Sequence, residues 1–357
     1  MQALLTPYTL GDLELKNRVV MAPMTRSRTP NTIPNDLNVA YYTQRANAGL
    51  IVTEATNINT RGTGGPFTPG IFSLEQAEGW KKVTEAVHQR GGKIFLQLWH
   101  AGRVSHPGNN GGQQPVAPSA IPAEGKTFTA NGLQEYVVPS ALSIAEIQAI
   151  VEEYGQATRH AQIAGFDGVE LHGAFGYLPN QFLSDASNQR QDEYGGSVEN
   201  RARFVLEVMD ALCSAWDSKR VGIRLAPSNV YNGVLDSNPP AIYDYLVAKL
   251  NAYDLAYLSL MEAFVKEHPN PNFIYDVSGH FRPLYQGTLI ANGGINQERG
   301  NWLIESGQAD LIAFGQLYIA NPDLVERFAD SVELAAPDRS TYYGGDERGY
   351  TDYGFAG

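Results

Sequence analysis

The amino-acid sequence predicts an α/β fold, a single (β/α)8 TIM barrel that occupies residues 1–357 as one domain. Short runs of apolar and β-branched residues recur along the chain, amphipathic stretches lie between most of them, and no Gly/Ser linker divides it. Strands buried on both faces of a parallel sheet appear as continuous apolar runs joined by helices. Eight such runs favour a closed barrel over an open doubly wound sheet, in which about five to seven strands would be usual.

The predicted strands follow one another in order. They are Val19–Met24, Leu50–Ile58, Lys93–His100, Gly168–Ala174, Val221–Pro227, Leu255–Met261, Thr288–Gly294 and Leu311–Gln316. The helix-like stretches between them are Leu74–Arg90, Ser143–Ala164, Ser197–Trp216, Pro239–Ala252, Gln297–Ser306 and Pro322–Asp330. Ser143 is followed three residues later by Glu146, a capping box that marks the start of its helix.

The longest interruption follows the third strand, from Ala101 to Leu142, and is rich in Gly, Pro and Asn. Within it, Asn131-Gly132 stands between Thr127–Thr129 and Tyr136–Val138, which predicts a β-hairpin with a two-residue turn. A loop of this length is usually functional, and after a barrel strand it lies on the catalytic face. We therefore expect residues 101–142 to form a lid insertion.

Composition excludes several classes of protein. The net charge of −12 and the lack of a Lys/Arg-rich run argue against a nucleic-acid or membrane surface, so a phosphate site would be local and built mostly from backbone. The single cysteine, Cys213, rules out an internal disulfide and a Cys-based metal site, and its apolar surroundings favour a buried hydrophobe over a nucleophile. The seven histidines show no metal-binding spacing.

The N-terminus lacks the basic and apolar regions of a secretory signal. No later segment is apolar over the roughly 18 residues that a membrane helix needs. We expect a soluble, cytoplasmic protein, either a monomer or a homodimer.

Polar residues at the carboxyl ends of the strands are the first candidates for a site, because barrel enzymes carry out their chemistry there. Gly293, Gly294 and Gly315 follow the last two strands, where backbone N–H groups of barrel proteins often bind phosphate. The alternative is that these glycines only relieve turn strain.

Arg224 lies inside an apolar strand, where a guanidinium must either pair with a structural carboxylate such as Glu54 or Glu170 or face a ligand. His172 could likewise be a satisfied core histidine, and Tyr177 a packing residue. The residues by themselves indicate a barrel enzyme with a phosphate-bearing ligand and a His/Tyr/Arg site.

Several blocks of sequence stand out in addition to these residues. They are Leu15–Arg18 leading into Met21–Arg26, Gln97–Arg103, His172–Ala174 with Gly176–Leu178, Asn188–Arg190 through Asp192–Arg201, Ile290–Gly294 and Ile319–Leu324. In this order they resemble blocks of the Old Yellow Enzyme family. The matches span about Leu5 to Tyr353, and the Tyr194–Arg201 block is the most specific. Thr25 makes the chain similar to the subgroup of the family that has threonine rather than cysteine beside the flavin.

The resemblance implies a noncovalent FMN across the barrel mouth. The residues implied to line its isoalloxazine ring are Pro23, Thr25, Ala55, Gln97 and Arg224, and Met24 is implied to contact the cofactor as well. Gly294 and Gly315 would hold the phosphate end, and Arg224 would stabilise the negative charge of the reduced ring, which favours the ligand-facing alternative for that residue. Trp99 and Tyr350 resemble family residues that wall the substrate pocket.

The implied activity is that of a flavin-dependent ene-reductase, which uses NADPH for the asymmetric reduction of activated C=C bonds in enones, enals, maleimides and nitroalkenes. The implied cycle is ping-pong: NADPH reduces the flavin and leaves, and the alkene then binds in the same space. His172 would polarise the substrate carbonyl, and Tyr177 would protonate the α-carbon as general acid.

Two residues depart from the family pattern. Phe175 stands three residues after the substrate-binding histidine, where Asn or His is usual, and Gln316 follows the strand-eight glycine, where Arg is usual. The first change removes a hydrogen-bond donor to the substrate, and the second removes a charge from the phosphate clamp. We expect both to affect binding and substrate choice more than the reaction class.

Two rival interpretations follow from the same sequence. Demethylating or dienoyl-thioester reductases of the superfamily add Fe–S cysteines, which one cysteine excludes. A non-catalytic flavin-binding or sensor protein is the alternative from another class, although His172, Tyr177 and Arg224 are all retained.

Overall fold

The computed structural model describes residues 2–356, in which eight parallel strands form a closed barrel. The strands are β1 (Val19–Met21), β2 (Leu50–Val52), β3 (Ile94–Trp99), β4 (Gly168–Gly173), β5 (Val221–Leu225), β6 (Tyr257–Met261), β7 (Leu289–Asn292) and β8 (Leu311–Phe314). Each strand pairs with its neighbours along the chain, and β8 pairs with β1, so the ring closes. The predicted (β/α)8 barrel is confirmed.

Helices surround the barrel. Within the described residues they are α1 (Asp36–Gln44), α2 (Leu74–Gln89), α3 (Ile144–Ile163), α4 (Leu178–Leu183), α5 (Val198–Ala215), α6 (Pro239–Leu250), α7 (Val277–Phe281), α8 (Gln297–Glu305), α9 (Gln316–Ala320) and α10 (Leu324–Asp330). The six predicted helices are confirmed. The capping box at Ser143 is present, because its side chain accepts from the backbone N–H of Glu146 at 3.3 Å and its own backbone N–H donates to the Glu146 carboxylate at 2.8 Å.

The observed strands are shorter than the predicted runs, mostly at their carboxyl ends. The first strand ends at Met21 rather than Met24, although Ala22 remains buried. The second is interrupted after Val52, because the hydroxyl of Thr53 accepts the backbone N–H of Gln97 at 3.1 Å in place of a ladder carbonyl. Apolar residues thus continue past the point at which the backbone leaves the sheet.

One end of the barrel is closed by an N-terminal hairpin, Tyr8–Leu10 paired with Leu13–Leu15. Its leucines pack in one cluster with inward-facing barrel residues such as Val20 and Phe95. A second, larger cluster lies between the outer face of the strands and the helices. The carboxyl end of the barrel therefore remains as the mouth at which a site can form.

The loop between β3 and α3 contains the predicted hairpin, but not in the predicted register. Its strands are Lys126–Thr129 and Gly132–Glu135, and Thr129 pairs with Gly132. The turn residues are thus Ala130 and Asn131, so the prediction of an Asn131-Gly132 turn was wrong. The predicted second strand at Tyr136–Val138 was also wrong: Tyr136 packs instead against a cluster that includes Trp99.

Two further findings concern the described residues as a whole. No helix in residues 2–356 is long and apolar enough to cross a membrane. Nor does this part of the chain bring three or more His, Cys, Asp or Glu side chains together in a way that could hold a metal ion. Cys213 is partly buried against the core, and burial raises the pKa of its thiol to about 12.

Candidate active site

The candidate site lies at the carboxyl ends of β4 and β5, which are adjacent in the barrel. His172 on β4 and Arg224 on β5 are direct register partners. Both side chains are buried, with 5% and 4% of their surface exposed. Two polar side chains thus stand next to each other at the mouth of an otherwise apolar sheet, as the sequence predicted.

Tyr177 lies between His172 and Trp99. Its ring meets the imidazole at 4.7 Å between centroids and the indole at 5.0 Å, both in edge-to-face geometry. The Nδ1 atom of His172 and the Nε1 atom of Trp99 are buried without a hydrogen-bond partner in residues 2–356. Buried polar atoms are nearly always paired, so these two atoms indicate a place where a polar ligand completes the site.

Burial sets the protonation states of this group. It lowers the pKa of His172 well below its ordinary value, and the positive charge of Arg224 lowers it further. Burial also raises the pKa of the Tyr177 hydroxyl. At neutral pH the imidazole is therefore neutral and the phenol keeps its proton, so both are able to donate a hydrogen bond.

Arg224 has no ion-pair partner in the described residues. Its Nη2 atom donates to Oδ1 of Asn292 at 2.7 Å and to Sδ of Met261 at 3.2 Å, and its Nε atom has no partner. Removing a guanidinium from water without a direct ion pair is costly. This environment fits an electron-rich ligand against the free side of Arg224.

The two carboxylates considered as structural partners of Arg224 are engaged elsewhere. Glu170 accepts from Nε2 of Gln97 at 2.7 Å. Glu54 accepts from the backbone N–H of Arg26 at 3.2 Å and from the hydroxyl of Tyr42 at 3.3 Å, and burial raises its pKa to about 7. Glu170 still acts on Arg224 through space, but neither carboxylate forms an ion pair with it.

A second side of the mouth is formed by residues that follow β1 and β2. Pro23, Met24 and Thr25 are half-buried, and Ala55 is buried. Gln97 on β3 is also buried, and its amide is oriented by Glu170. Ala55 packs in the same cluster as Trp99, so this side adjoins the group around Tyr177.

The two glycines after β7 adopt backbone conformations that favour glycine. Gly293 has φ +110° and Gly294 has φ +65°. A Cβ atom on Gly294 would meet no atom within 4 Å, so space is open beside its backbone. Both glycines line a cleft of about 350 Å³ together with Glu262. Gly315 precedes α9, and the side chain of Gln316 is exposed.

Phe175 has an unusual backbone conformation for its residue type. Its φ of +56° lies in the left-handed region, which Asn tolerates far better than Phe. The ring lies 5.3 Å from the Arg224 guanidinium and 6.0 Å from the His172 ring. Phe175 therefore lies at the candidate site, as predicted, and its left-handed backbone conformation costs conformational free energy.

Tyr350 occupies a different setting from the other predicted substrate residues. Its ring is fully buried and stacks on Tyr41 at 4.1 Å, while its hydroxyl accepts from Asn38 at 3.1 Å. The guanidiniums of Arg26 and Arg28 lie against its face. The structure therefore gives Tyr350 a packing role and no exposed surface toward a substrate.

Sequence reasoning did not assign Asn292, which is the closest partner of Arg224. Besides accepting from the guanidinium, it donates to the carbonyl of Ala313 on β8 at 2.6 Å. The sequence feature that could have identified Asn292 is its position at the end of the apolar strand β7, where a buried amide needs a polar partner. It holds Arg224 in place from two strands away.

These features fit FMN. Arg224, whose guanidinium forms no direct ion pair within the described residues, suits the electron-rich edge of an isoalloxazine ring, and the open glycine backbone after β7 suits a phosphate. The half-buried residues Pro23–Thr25 and the amide of Gln97 offer one more side of a ring site. Because the family resemblance implied the same residues, the site and the implied cofactor agree in chemistry.

Comparisons with known proteins give consistent results. Residues 3–335 match the NADH:flavin oxidoreductase / NADH oxidase family. A putative 12-oxophytodienoate reductase 2 of Oryza sativa subsp. japonica is 44% identical over 356 residues, which cover 99% of this chain and 94% of the relative. Morphinone reductase in complex with tetrahydroNAD is 48% identical with a TM-score of 0.94, covering 99% of this chain and 98% of the other. The old yellow enzyme homologue from Zymomonas mobilis is 40% identical with a TM-score of 0.95, covering 99% of both chains.

Proposed function

Because this chain belongs to the NADH:flavin oxidoreductase / NADH oxidase family, the Old Yellow Enzyme family, we propose that it is an ene-reductase. The family makes it an FMN-dependent oxidoreductase. The proposal adds the substrates, which are activated alkenes such as enones, enals, maleimides and nitroalkenes, and NADPH as the reductant. It also places the chain in the threonine subgroup because of Thr25.

The observation that carries the proposal is the unpartnered, buried Nδ1 of His172 beside Tyr177 and Arg224. When bound, FMN supplies hydride transfer between the nicotinamide coenzyme and the alkene. Arg224 would hold the electron-rich edge of the isoalloxazine ring, since its charge lacks a carboxylate partner. Pro23, Thr25 and Gln97 would line the ring.

His172 would bind the carbonyl oxygen of the substrate. A neutral imidazole donates through its N–H group and does not place a second full positive charge beside Arg224. Negative charge develops on the carbonyl oxygen as the β-carbon gains hydride, and the hydrogen bond from His172 strengthens as it does so. The raised pKa of Tyr177 keeps its proton in place until the substrate α-carbon accepts it.

We further propose that residues 1–357 act as one FMN-binding domain with residues 101–142 as a lid. Tyr136 in this loop packs with Tyr177 against the cluster around Trp99, which supports a lid that reaches the site. A closed lid would exclude water while the substrate is bound.

The test is a product assay with a cofactor analysis. We expect the purified protein to be yellow and to release one FMN per chain on heat denaturation. In the presence of 2-cyclohexenone or N-phenylmaleimide, the protein should oxidise NADPH, and the saturated product should accumulate. NADH would be tested in the same assay, and we expect it to be oxidised more slowly than NADPH. A non-catalytic flavin-binding protein would carry FMN but form no saturated product, and recovery of FAD would contradict the cofactor assignment.

A further inference from the structure

Three aromatic rings form a continuous surface that leads away from His172. We call Phe175, Tyr231 and Phe264 the aromatic shelf. Phe175 lies 6.3 Å from Tyr231, and Tyr231 lies 6.2 Å from Phe264, measured between ring centroids. Tyr231 is 50% exposed and Phe264 is 48% exposed. The shelf therefore starts inside the site and ends in solvent.

The topology of the barrel explains why these residues meet. Phe175 follows β4, Tyr231 follows β5 and Phe264 follows β6, and these three strands are neighbours in the sheet. All three loops leave from the carboxyl end of the barrel. The shelf is thus continuous with the mouth and does not belong to a separate surface.

The middle of the shelf is held in place from two sides. The side-chain amide of Asn232 donates to the carbonyl of Phe175 at 2.8 Å, which ties the loop after β5 to the loop after β4. Arg103, from the loop after β3, donates to the carbonyls of Asn232 and Gly233 at 2.8 and 3.0 Å. An aromatic surface fixed in this way loses little conformational freedom when a ligand binds.

We propose that the aromatic shelf binds an aryl or fused-ring substituent of the alkene substrate, while the activating carbonyl of the same substrate is held at His172. This inference rests on the proposed ene-reductase function and specifies its substrate class. Aromatic faces pack well against planar apolar groups, and contiguous exposed apolar surface is a feature of ligand-binding grooves. The Phe175 ring joins the two parts of the substrate site, because it contacts both His172 and Tyr231.

The test compares a short and a long ligand that share one anchoring group. Phenol and 4-phenylphenol would be titrated into the FMN-loaded protein, and their dissociation constants measured from the flavin absorbance and by calorimetry. The variants are Tyr231→Ala and Phe264→Ala. Trp302→Ala is the matched control, because Trp302 is 44% exposed on the outer helix α8 and outside the shelf.

We expect each shelf variant to raise the dissociation constant of 4-phenylphenol about three- to tenfold, which corresponds to the loss of one aromatic contact. The dissociation constant of phenol should change by less than about twofold. The control should change neither ligand. Equal loss for both ligands, or no loss for either, would overturn the shelf as a separate subsite even if 2-cyclohexenone is still reduced. If the wild-type protein neither binds phenol nor reduces 2-cyclohexenone, the proposed function fails and this inference fails with it.

Discussion

Replacing Phe175 with Asn tests whether this position sets the choice of substrate. In this protein His172 must hold the substrate oxygen without the second donor that Asn or His would supply three residues later. The Phe175 ring lies close enough to His172 and Arg224 for an amide at the same position to reach the ligand site. Phe175→Asn should therefore restore a hydrogen bond to the substrate oxygen.

The expected change in ligand affinity comes from the new hydrogen bond. A hydrogen bond to a partly charged oxygen is worth about 1.5–3 kcal/mol, or roughly ten- to a hundredfold in affinity. Two further contributions concern the stability of the protein and oppose each other. Relief of the left-handed backbone at φ +56° contributes on the order of 1 kcal/mol to stability. Loss of the ring contact with Arg224 costs about as much, so the free energy of unfolding should change little.

The assay is titration of a para-substituted phenol, followed by its charge-transfer band with the oxidised flavin. Phe175→Leu is the control, since it removes the ring without supplying a donor. Phe175→Asn should tighten phenol binding and lower KM for 2-cyclohexenone more than for N-phenylmaleimide. If the Asn and Leu variants bind phenol equally, a backbone group or water already serves the oxygen and the reasoning is refuted.

Further predictions concern the cofactor, the proton donor and acid stability. Arg224→Ala should weaken FMN binding and lower the flavin midpoint potential, because the variant loses a charge-assisted hydrogen bond worth about 1.5–3 kcal/mol. Arg224→Lys should give intermediate values, and an unchanged potential in the Ala variant would rule out the assignment. Tyr177→Phe should slow alkene reduction in stopped-flow measurements but not reduction of the flavin by NADPH, and equal slowing of both would mean a structural role. Gln316→Arg should lower the dissociation constant of FMN, and no change would show that this side chain points elsewhere. Burial lowers the pKa of His172 and lowers that of His100 to about 3, so below about pH 6.5 the unfolded chain binds more protons than the folded one. The free energy of unfolding, measured by denaturant titration, should therefore fall as the pH drops below about 6.5, and it should fall less steeply in His172→Asn.

The barrel could be predicted from the sequence because each strand is a short, mostly apolar run whose few polar residues interrupt it singly. Helices α1, α4, α7 and α9 were not predicted. In α1 the residues show no clear apolar stripe, and the helix begins with a reciprocal cap between Asn35 and Asn38. The register of the hairpin in the lid was missed because Asn131-Gly132 satisfies the sequence preference for a turn, whereas the pairing of the flanking strands places the turn one residue earlier.

The candidate site could be predicted in part. Strand-end positions identified His172 and Arg224, because a polar side chain in an apolar strand needs a partner. What the sequence could not reveal was which partner each side chain has, such as Asn292 for Arg224 or Asn38 for Tyr350. Those contacts join residues far apart in the chain and depend on the tertiary arrangement of the strands, helices and loops.

The block that most specifically identified the family has a structural role in this chain. The ring of Tyr194 is buried, and its hydroxyl donates to Glu207 at 2.8 Å. Arg201 donates to the carbonyl of Leu183 and pairs with Asp236. Motifs that reveal a family therefore need not contain the residues that carry out its chemistry.

The most direct test of the central claim is an anaerobic reaction in two steps. The FMN-loaded protein would first be bleached with one equivalent of NADPH and then mixed with 2-cyclohexenone in a stopped-flow instrument. We expect the yellow absorbance to return and about one cyclohexanone to form per flavin, as ping-pong turnover requires. If the protein remains bleached until oxygen is admitted, and no saturated ketone is found, the chain is not an ene-reductase for activated alkenes.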